Sequence, residues 1–304
     1  MRVRAILNPR AGVDAGRALE TLRRGRPSWP DLTVRLTEGP RNARELAREA
    51  VAEGTDLLLV AGGDGTVNEA AQGMIGSETM LGVVPVGSGN GLARSLGIPL
   101  QPGAALSALE TGVPRRMDVG LVNGEPFLNV AGAGFDAAVG KAFHHNGKDG
   151  GRRGIMTYLR LGLAGAFSYP AAHVTLEAGG ERIEARILVV AFANGAQYGA
   201  GAVIAPRARL DDGRLEVVLV EEASPLELVL NTPRLFLGTI EGFSRYRRVT
   251  CASALLTAAA PIEHHRDGEP EPEAARLEVG LLPRALRVLV PRATAEDAKG
   301  PFTG

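Results

Sequence analysis

The stretch VAGGDGTVNEAAQGM, residues 60–74, continues an apolar run that begins at Leu57 and opens into Gly62-Gly63-Asp64-Gly65-Thr66. A helical pattern follows from about Thr66. A short, wholly apolar run that empties through glycines into a helix reads as a strand–turn–helix unit. The same unit recurs on either side. Upstream, VRAIL (3–7) leads to a helix around 14–24, and LTVRL (32–36) leads to RNARELAREAVAEG, where Leu46, Ala47, Ala50 and Val51 mark one helical face. Downstream, LGVVPV (81–86) enters another helix from about Asn90. Strands alternating with helices over short links predict an α/β domain, a parallel sheet covered by helices on both faces.

From about residue 115 the pattern changes. RMDVGLVNG, EPFLNVAGAG, HVTLEAGGERIEARILVVAFAN, GRLEVVLVEE, RRVTCASALLTAA and ARLEVG are β-prone and joined by turns, with EAGGER a strong hairpin signal. They predict a mainly antiparallel β C-terminal domain with helical insertions near 152–167 and 224–240. The expected division is a first domain over 1–120, a second over 121–284, and a tail over 293–304 that reads as disordered. The strand ALRVLVP (285–291) can return to either domain, so 285–292 is a candidate for rejoining the first.

At 304 residues the chain has length enough for two cores. Lys plus Arg number 34, as do Asp plus Glu, which argues against a nucleic-acid binder that works by bulk charge. The single cysteine, Cys251, excludes an intrachain disulfide and a cysteine-based zinc site, and it suits a reducing, cytoplasmic compartment. The uncharged stretch Ile187–Pro206 is about as long as a membrane span, but Asn194, Gln197, Tyr198 and its glycines favour a buried strand running into a loop.

Glycines at a strand end let backbone N–H groups approach a phosphate, and a following helix adds the positive end of its dipole. An aspartate among such donors repels phosphate; it suits Mg²⁺ binding or proton removal from an attacking hydroxyl, unless Asp64 only caps the helix. PVGSGNGLARSLG (85–97) repeats the device after the next strand, and Asn8-Pro9 with Gly12 ends the first. Neighbouring glycine loops at the carboxyl edge of a parallel sheet form a ligand crevice. Neither glycine loop matches GxGxxG with its later acid, nor GxxxxGK[ST].

GGDGTVNEAAQGM, with NPRAG before it and PVGSGNGLARSLGIP after it, resembles the catalytic domain of the diacylglycerol kinase, sphingosine kinase and bacterial lipid kinase family. The resemblance continues in MDVGLVNGEPFLNVAGAGFDA, YGAGAVIAPRARLDDGRLEVVLV and RDGE. It implies a first domain like that of NAD kinases and phosphofructokinases, and ATP bound in a cleft between the domains. It implies ATP contacts at Asn8, Thr37, Gly63, Asp64, Gly65, Thr66, Ser88, Gly89 and Asn90. It also implies a catalytic set of Asp64, Asp118 and Glu269, with Asp267 beside the last. Asp136 would face the lipid head group, Asp64 would order catalytic Mg²⁺ directly or through water, and Asp212 in RLDDG would bind a structural Mg²⁺.

This chain departs from some relatives at Val13, where they carry lysine, and at Gly91, where they carry aspartate. The basic cluster Lys148, Arg152 and Arg153 fits phosphate, an anionic membrane or a solvated loop. YLRLGLAGAF (158–167) fits a helix over a lipid entrance or a core element, and His264-His265 lacks a third ligand at metal spacing. The function implied is an ATP- and Mg²⁺-dependent lipid kinase acting on a diacylglycerol-like or sphingoid alcohol. Its lipid would be met at a membrane surface visited peripherally, with homodimerisation left open. The alternatives are an NAD kinase-like enzyme and a non-catalytic nucleotide- or lipid-binding regulator on the same scaffold.

Overall fold

The computed structural model describes residues 1–12, 14–24, 28–140 and 169–303. The Lys148, Arg152 and Arg153 cluster, the segment 158–167 and Val13 lie outside the described residues. The chain forms two units, one of Met1–Val119, Arg209–Asp212 and Leu282–Gly304, the other of Gly120–Ala208 and Gly213–Leu281.

In the first unit, β1 (Val3–Leu7), β2 (Thr33–Leu36), β3 (Leu57–Gly62) and β4 (Met80–Pro85) are parallel, in the order β2-β1-β3-β4. Every residue of β3 is buried, as its unbroken apolar run demands of a central strand covered on both faces. The helices are α1 (Ala15–Arg23), α2 (Asn42–Ala52), α3 (Asp64–Gln72), α4 (Gly91–Ser95) and α5 (Pro102–Glu110). The buried face of α2 is Ala43, Leu46, Ala47 and Ala50, with Val51 only half-buried at its edge. Helix α3 begins two residues earlier than its periodicity suggested, because Gly63 is the N-cap and Asp64 already has a place in the first turn.

The second unit is antiparallel. Its long strands are β9 (Glu181–Ala193) and β12 (Ala254–Arg266), with β7 (Val130–Gly134) and β8 (Ala172–Ala178) paired between them at successive positions. Beyond β9 come β10 (Leu215–Glu221) and β11 (Tyr246–Cys251). Along β10, Leu215, Val217 and Leu219 enter one core while Val218 and Val220 enter another, so this sheet too is covered on both faces. The turn between β8 and β9 is Gly179-Gly180, with φ of 59° and 81°, the backbone of a tight two-residue hairpin. Asn123-Gly124, between β5 (Val113–Val122) and β6 (Glu125–Phe127), has φ of 50° and 82° and closes a second hairpin of the same kind.

Two expectations change. ARLEVG and ALRVLVP are not separate strands but parts of β13, Glu269–Val290, which pairs with β12 along its first half and reaches β4 at Val288. The tail after Pro291 is ordered: Arg292–Glu296 is helical, Phe302 is buried, and the backbone bonds Leu210 N–H to Pro301 O and Thr303 N–H to Asp211 Oδ1 are both 2.7 Å. The apolar side chain and the backbone pairing hold a segment whose composition alone looks like a frayed end.

Candidate active site

In the first unit, three loops leave the carboxyl ends of β1, β3 and β4 and pack on one another. Asn8 donates from Nδ2 to Thr66 Oγ1 at 2.9 Å and accepts the Arg10 N–H at 2.9 Å, so it braces both its own turn and the first turn of α3. A Cβ on Gly12 would strike the carbonyl oxygen of Val86, and one on Gly87 would stand 2.6 Å from Gly63 Cα. Some of the glycines are therefore required by loop-on-loop contact, independently of any ligand. Asn90, at φ 51°, spends both ends of its amide on Gly87, accepting its N–H at 3.1 Å and donating to its carbonyl at 2.7 Å. Ser88 and Gly89 lie within that braced loop. Thr37 donates its N–H to Leu7 O at 2.9 Å, which keeps the end of β2 beside the end of β1.

Asp64 is at the first position inside α3, not at the cap, and the cap residue Gly63 offers no side chain to the exposed amides. The first four N–H groups of a helix have no partner within it, so this end, with Gly63, Gly65 and Thr66, suits an anionic ligand. No three or more His, Cys, Asp or Glu side chains among the described residues group as a metal cage. A magnesium ion carried on a nucleotide needs only one or two carboxylates besides phosphate, and the partly exposed Asp64 is a donor of that kind. The residues present therefore fit ATP with Mg²⁺ at these loops.

The other acids are placed differently. Asp118 is wholly buried; its Oδ1 accepts the N–H of Arg284 at 2.7 Å, where β13 bends at a φ of 49°. Asp212 is exposed, while its neighbour Asp211 is buried and accepts the Thr303 N–H on Oδ1 at 2.7 Å.

In the second unit, Asp267 is held by three amides: Asn129 N–H and Val130 N–H donate to Oδ1 at 2.8 and 3.1 Å, and Leu128 N–H to Oδ2 at 2.7 Å. Asp267 and Gly268, at φ of 48° and 86°, form the tight turn from β12 to β13, and exposed Glu269 begins β13. Asp136, just after β7, is 8% exposed and accepts the Tyr198 hydroxyl at 2.7 Å on Oδ2 and the Ala137 N–H at 2.8 Å on Oδ1. His265 Nε2 lies 3.2 Å from Asp136 Oδ2. Nearby, Tyr169 donates to Glu263 at 3.1 Å and stacks against Phe135; burial, and then Glu263, push its phenol well above its usual range, so it stays a donor. The sequence names Tyr198 only as a polar residue of an uncharged stretch, and it gives the His264-His265 pair no third ligand; neither signal points to the contacts on Asp136. Both histidines are buried.

A parallel α/β unit with packed glycine loops and an antiparallel β-unit with its own carboxylates are the two parts that known lipid kinases of this class combine, as the matches below show. Residues 2–122 match the diacylglycerol kinase catalytic domain, and residues 129–290 match the YegS C-terminal NAD kinase beta sandwich-like domain. A Pseudomonas aeruginosa protein described as a probable lipid kinase YegS-like is 35% identical, over 88% of this chain and 87% of its own. A Mycobacterium tuberculosis diacylglycerol kinase is 30% identical over 96% of each. The crystal structure of a diacylglycerol kinase from Bacillus anthracis shares the fold, with a TM-score of 0.71 at 20% identity over 96% of this chain and 97% of that one. The chain belongs to the diacylglycerol kinase and YegS-like lipid kinase family, a family of phosphotransferases.

Proposed function

We propose that this protein transfers the γ-phosphate of ATP, with Mg²⁺, to a hydroxyl of a lipid alcohol of diacylglycerol-like or sphingoid type. The observation that carries the reading is the convergence of three loops on the amino end of α3, with Asp64 in its first turn. Phosphoryl transfer depends on positioning and charge neutralisation more than on covalent chemistry. Gly63, Gly65 and Thr66 offer backbone donors to the phosphates. Asn8, Thr37, Ser88, Gly89 and Asn90 shape the loops around the nucleotide. Asp64 holds the metal or takes the acceptor's proton, and Glu269 adds a further acid. Bound Mg²⁺ would neutralise the charge that develops on the transferring group. Among the described residues Asp136 Oδ1 accepts one hydrogen bond, from Ala137 N–H, and a carboxylate oxygen has a second lone pair with which to meet a lipid head-group hydroxyl.

The test is Asp64→Asn, assayed with labelled ATP against a panel of lipid alcohols and NAD. Transfer should fall about 10²–10⁴-fold, the range for losing a positioned acid or base, with ATP affinity and fold retained. Wild-type transfer to NAD alone would support the NAD kinase reading, and unimpaired transfer by the variant would remove Asp64 from the mechanism.

The membrane is the expected meeting place with the lipid. Among the described residues no helix is long and apolar enough to cross a bilayer. The helix Pro225–Leu237 exposes Leu226, Val229, Leu230, Phe236 and Leu237 along one stripe. Such a stripe supports peripheral contact with a bilayer.

A further inference from the structure

His265 lies on β12 directly across from Gly132 of β7, and both of its ring nitrogens are engaged. The backbone N–H of Gly268 points to Nδ1 at 3.3 Å. A backbone amide only donates, so Nδ1 is the acceptor and the ring proton is on Nε2. That proton faces Asp136 Oδ2 at 3.2 Å, between side chains that are 5% and 8% exposed. Both ring nitrogens therefore face partners within the protein.

The surroundings are built for this pair. A Cβ on Gly132 would overlap Asp136 Oδ2 and stand 2.7 Å from His265 Nε2, so a residue other than glycine at this strand position would displace the contact. Tyr198 donates to the same carboxylate oxygen, so among the described residues Oδ2 has two side-chain partners and Oδ1 only the Ala137 N–H. At its other end His265 holds the amide of Gly268, which stands between Asp267, anchored by the amides of residues 128–130, and Glu269.

We propose that His265 is a positioning residue of the transfer reaction, aiming Asp136 at the acceptor through Nε2–H and setting the Asp267-Gly268-Glu269 turn through Nδ1. This rests on the assignment of Asp136 to the acceptor lipid and Glu269 to the catalytic acids.

Two substitutions separate the two arms. His265→Gln keeps an N–H near the position of Nε2 but loses the acceptor for Gly268, whereas His265→Asn keeps an acceptor near Nδ1 and no longer reaches Asp136. The assay is steady-state transfer from ATP to dioctanoylglycerol and sphingosine in mixed micelles, per folded molecule, with ATP KM measured alongside. For His265→Asn the acceptor KM should rise about 10-fold with ATP KM unchanged. For His265→Gln, kcat should fall about 10-fold with acceptor KM within about 3-fold of wild type. Wild-type values in either variant, or equal changes in both, overturn the proposal, as a purely structural role would move only the folded fraction.

Asp136→Asn separates this proposal from the reading beneath it. If it leaves the acceptor KM unchanged, or if the wild-type protein phosphorylates no lipid alcohol, the assignment of Asp136 fails and the proposal falls with it. If Asp136→Asn raises KM and His265→Asn does not, only the role of His265 fails. Should the variants not fold, the ¹⁵N shifts of wild-type His265 decide: a proton on Nε2 with Nδ1 as acceptor is expected, and the Nδ1–H tautomer overturns the proposal.

Discussion

His264 and His265 are neighbours on β12, but alternation along the strand sends their side chains to opposite faces. His265 has partners on both nitrogens, while Nδ1 of His264 is buried with no hydrogen-bond partner among the described residues. Burial lowers the pKa of His264, outweighing the opposing pull of Glu271; His265 and Arg266 lower it further. The folded-state value thus lies below the unfolded one, so as pH falls through about 6.5 the unfolded chain takes up the proton first and stability is lost. Denaturant titrations at pH 7.5 and 5.0 should show this loss, with a slope below about 1.4 kcal/mol per pH unit for this one proton. In His264→Leu the acid-side loss should shrink, with stability at pH 7.5 little changed; an unaltered pH dependence would exclude His264 as its source. Asp267 makes a related point. An acid beside a catalytic motif invites a chemical role, yet here three backbone amides use its carboxylate to shape the turn.

The helix Pro225–Leu237 is stable for local reasons. Ser224 and Glu227 form a reciprocal capping box, proline opens the first turn, and Gly238 closes the helix at φ 65°. Leu228 and Leu235 pack on the second unit's core while the apolar stripe stays outside. Ser224→Ala should cost about 1 kcal/mol, read as faster amide exchange within the helix. Glutamates at Leu226 and Leu230 should reduce co-sedimentation with phosphatidylcholine–diacylglycerol vesicles several-fold, with transfer to a short-chain soluble acceptor maintained. Unchanged vesicle binding would remove this helix from membrane contact. The hairpins show a second element-level rule: Gly179-Gly180, Asn123-Gly124 and Asp267-Gly268 all turn with two successive positive φ angles. The first was legible as a turn, while the same chemistry in RDGE was masked by the motif it belongs to.

At the scale of the whole chain, the first unit is not continuous in sequence, taking in residues 209–212 and 282–304. Leu210 bonds to Asp118 N–H and to Pro301, and Asp211 to Thr303, so three remote segments close on one another. Phe302 is 3% exposed at the end of the last of them. Phe302→Ala should therefore release more than a chain end. The amide of Leu210 should exchange at least 10-fold faster, and global stability should fall by up to about 3 kcal/mol, the lower range for deleting a buried aromatic. Exchange confined to residues after 296 would show that the tail is not coupled to the 209–212 loop.

The parallel α/β unit, the antiparallel unit and the glycine loops were legible because their signals are local: apolar runs of strand length, helical periodicity and turn residues act over a few positions. Family resemblance then pointed from the GGDGT loop to kinase chemistry. The partners of the acids were not legible. Asp136 meets His265 across 129 residues, Asp267 meets Leu128 across 139, and Asp211 meets Thr303 across 92. A carboxylate is satisfied by whichever donors packing brings within about 3 Å. Neither residue type nor spacing encodes that outcome, because it depends on how strands pair and which side chains are excluded from water.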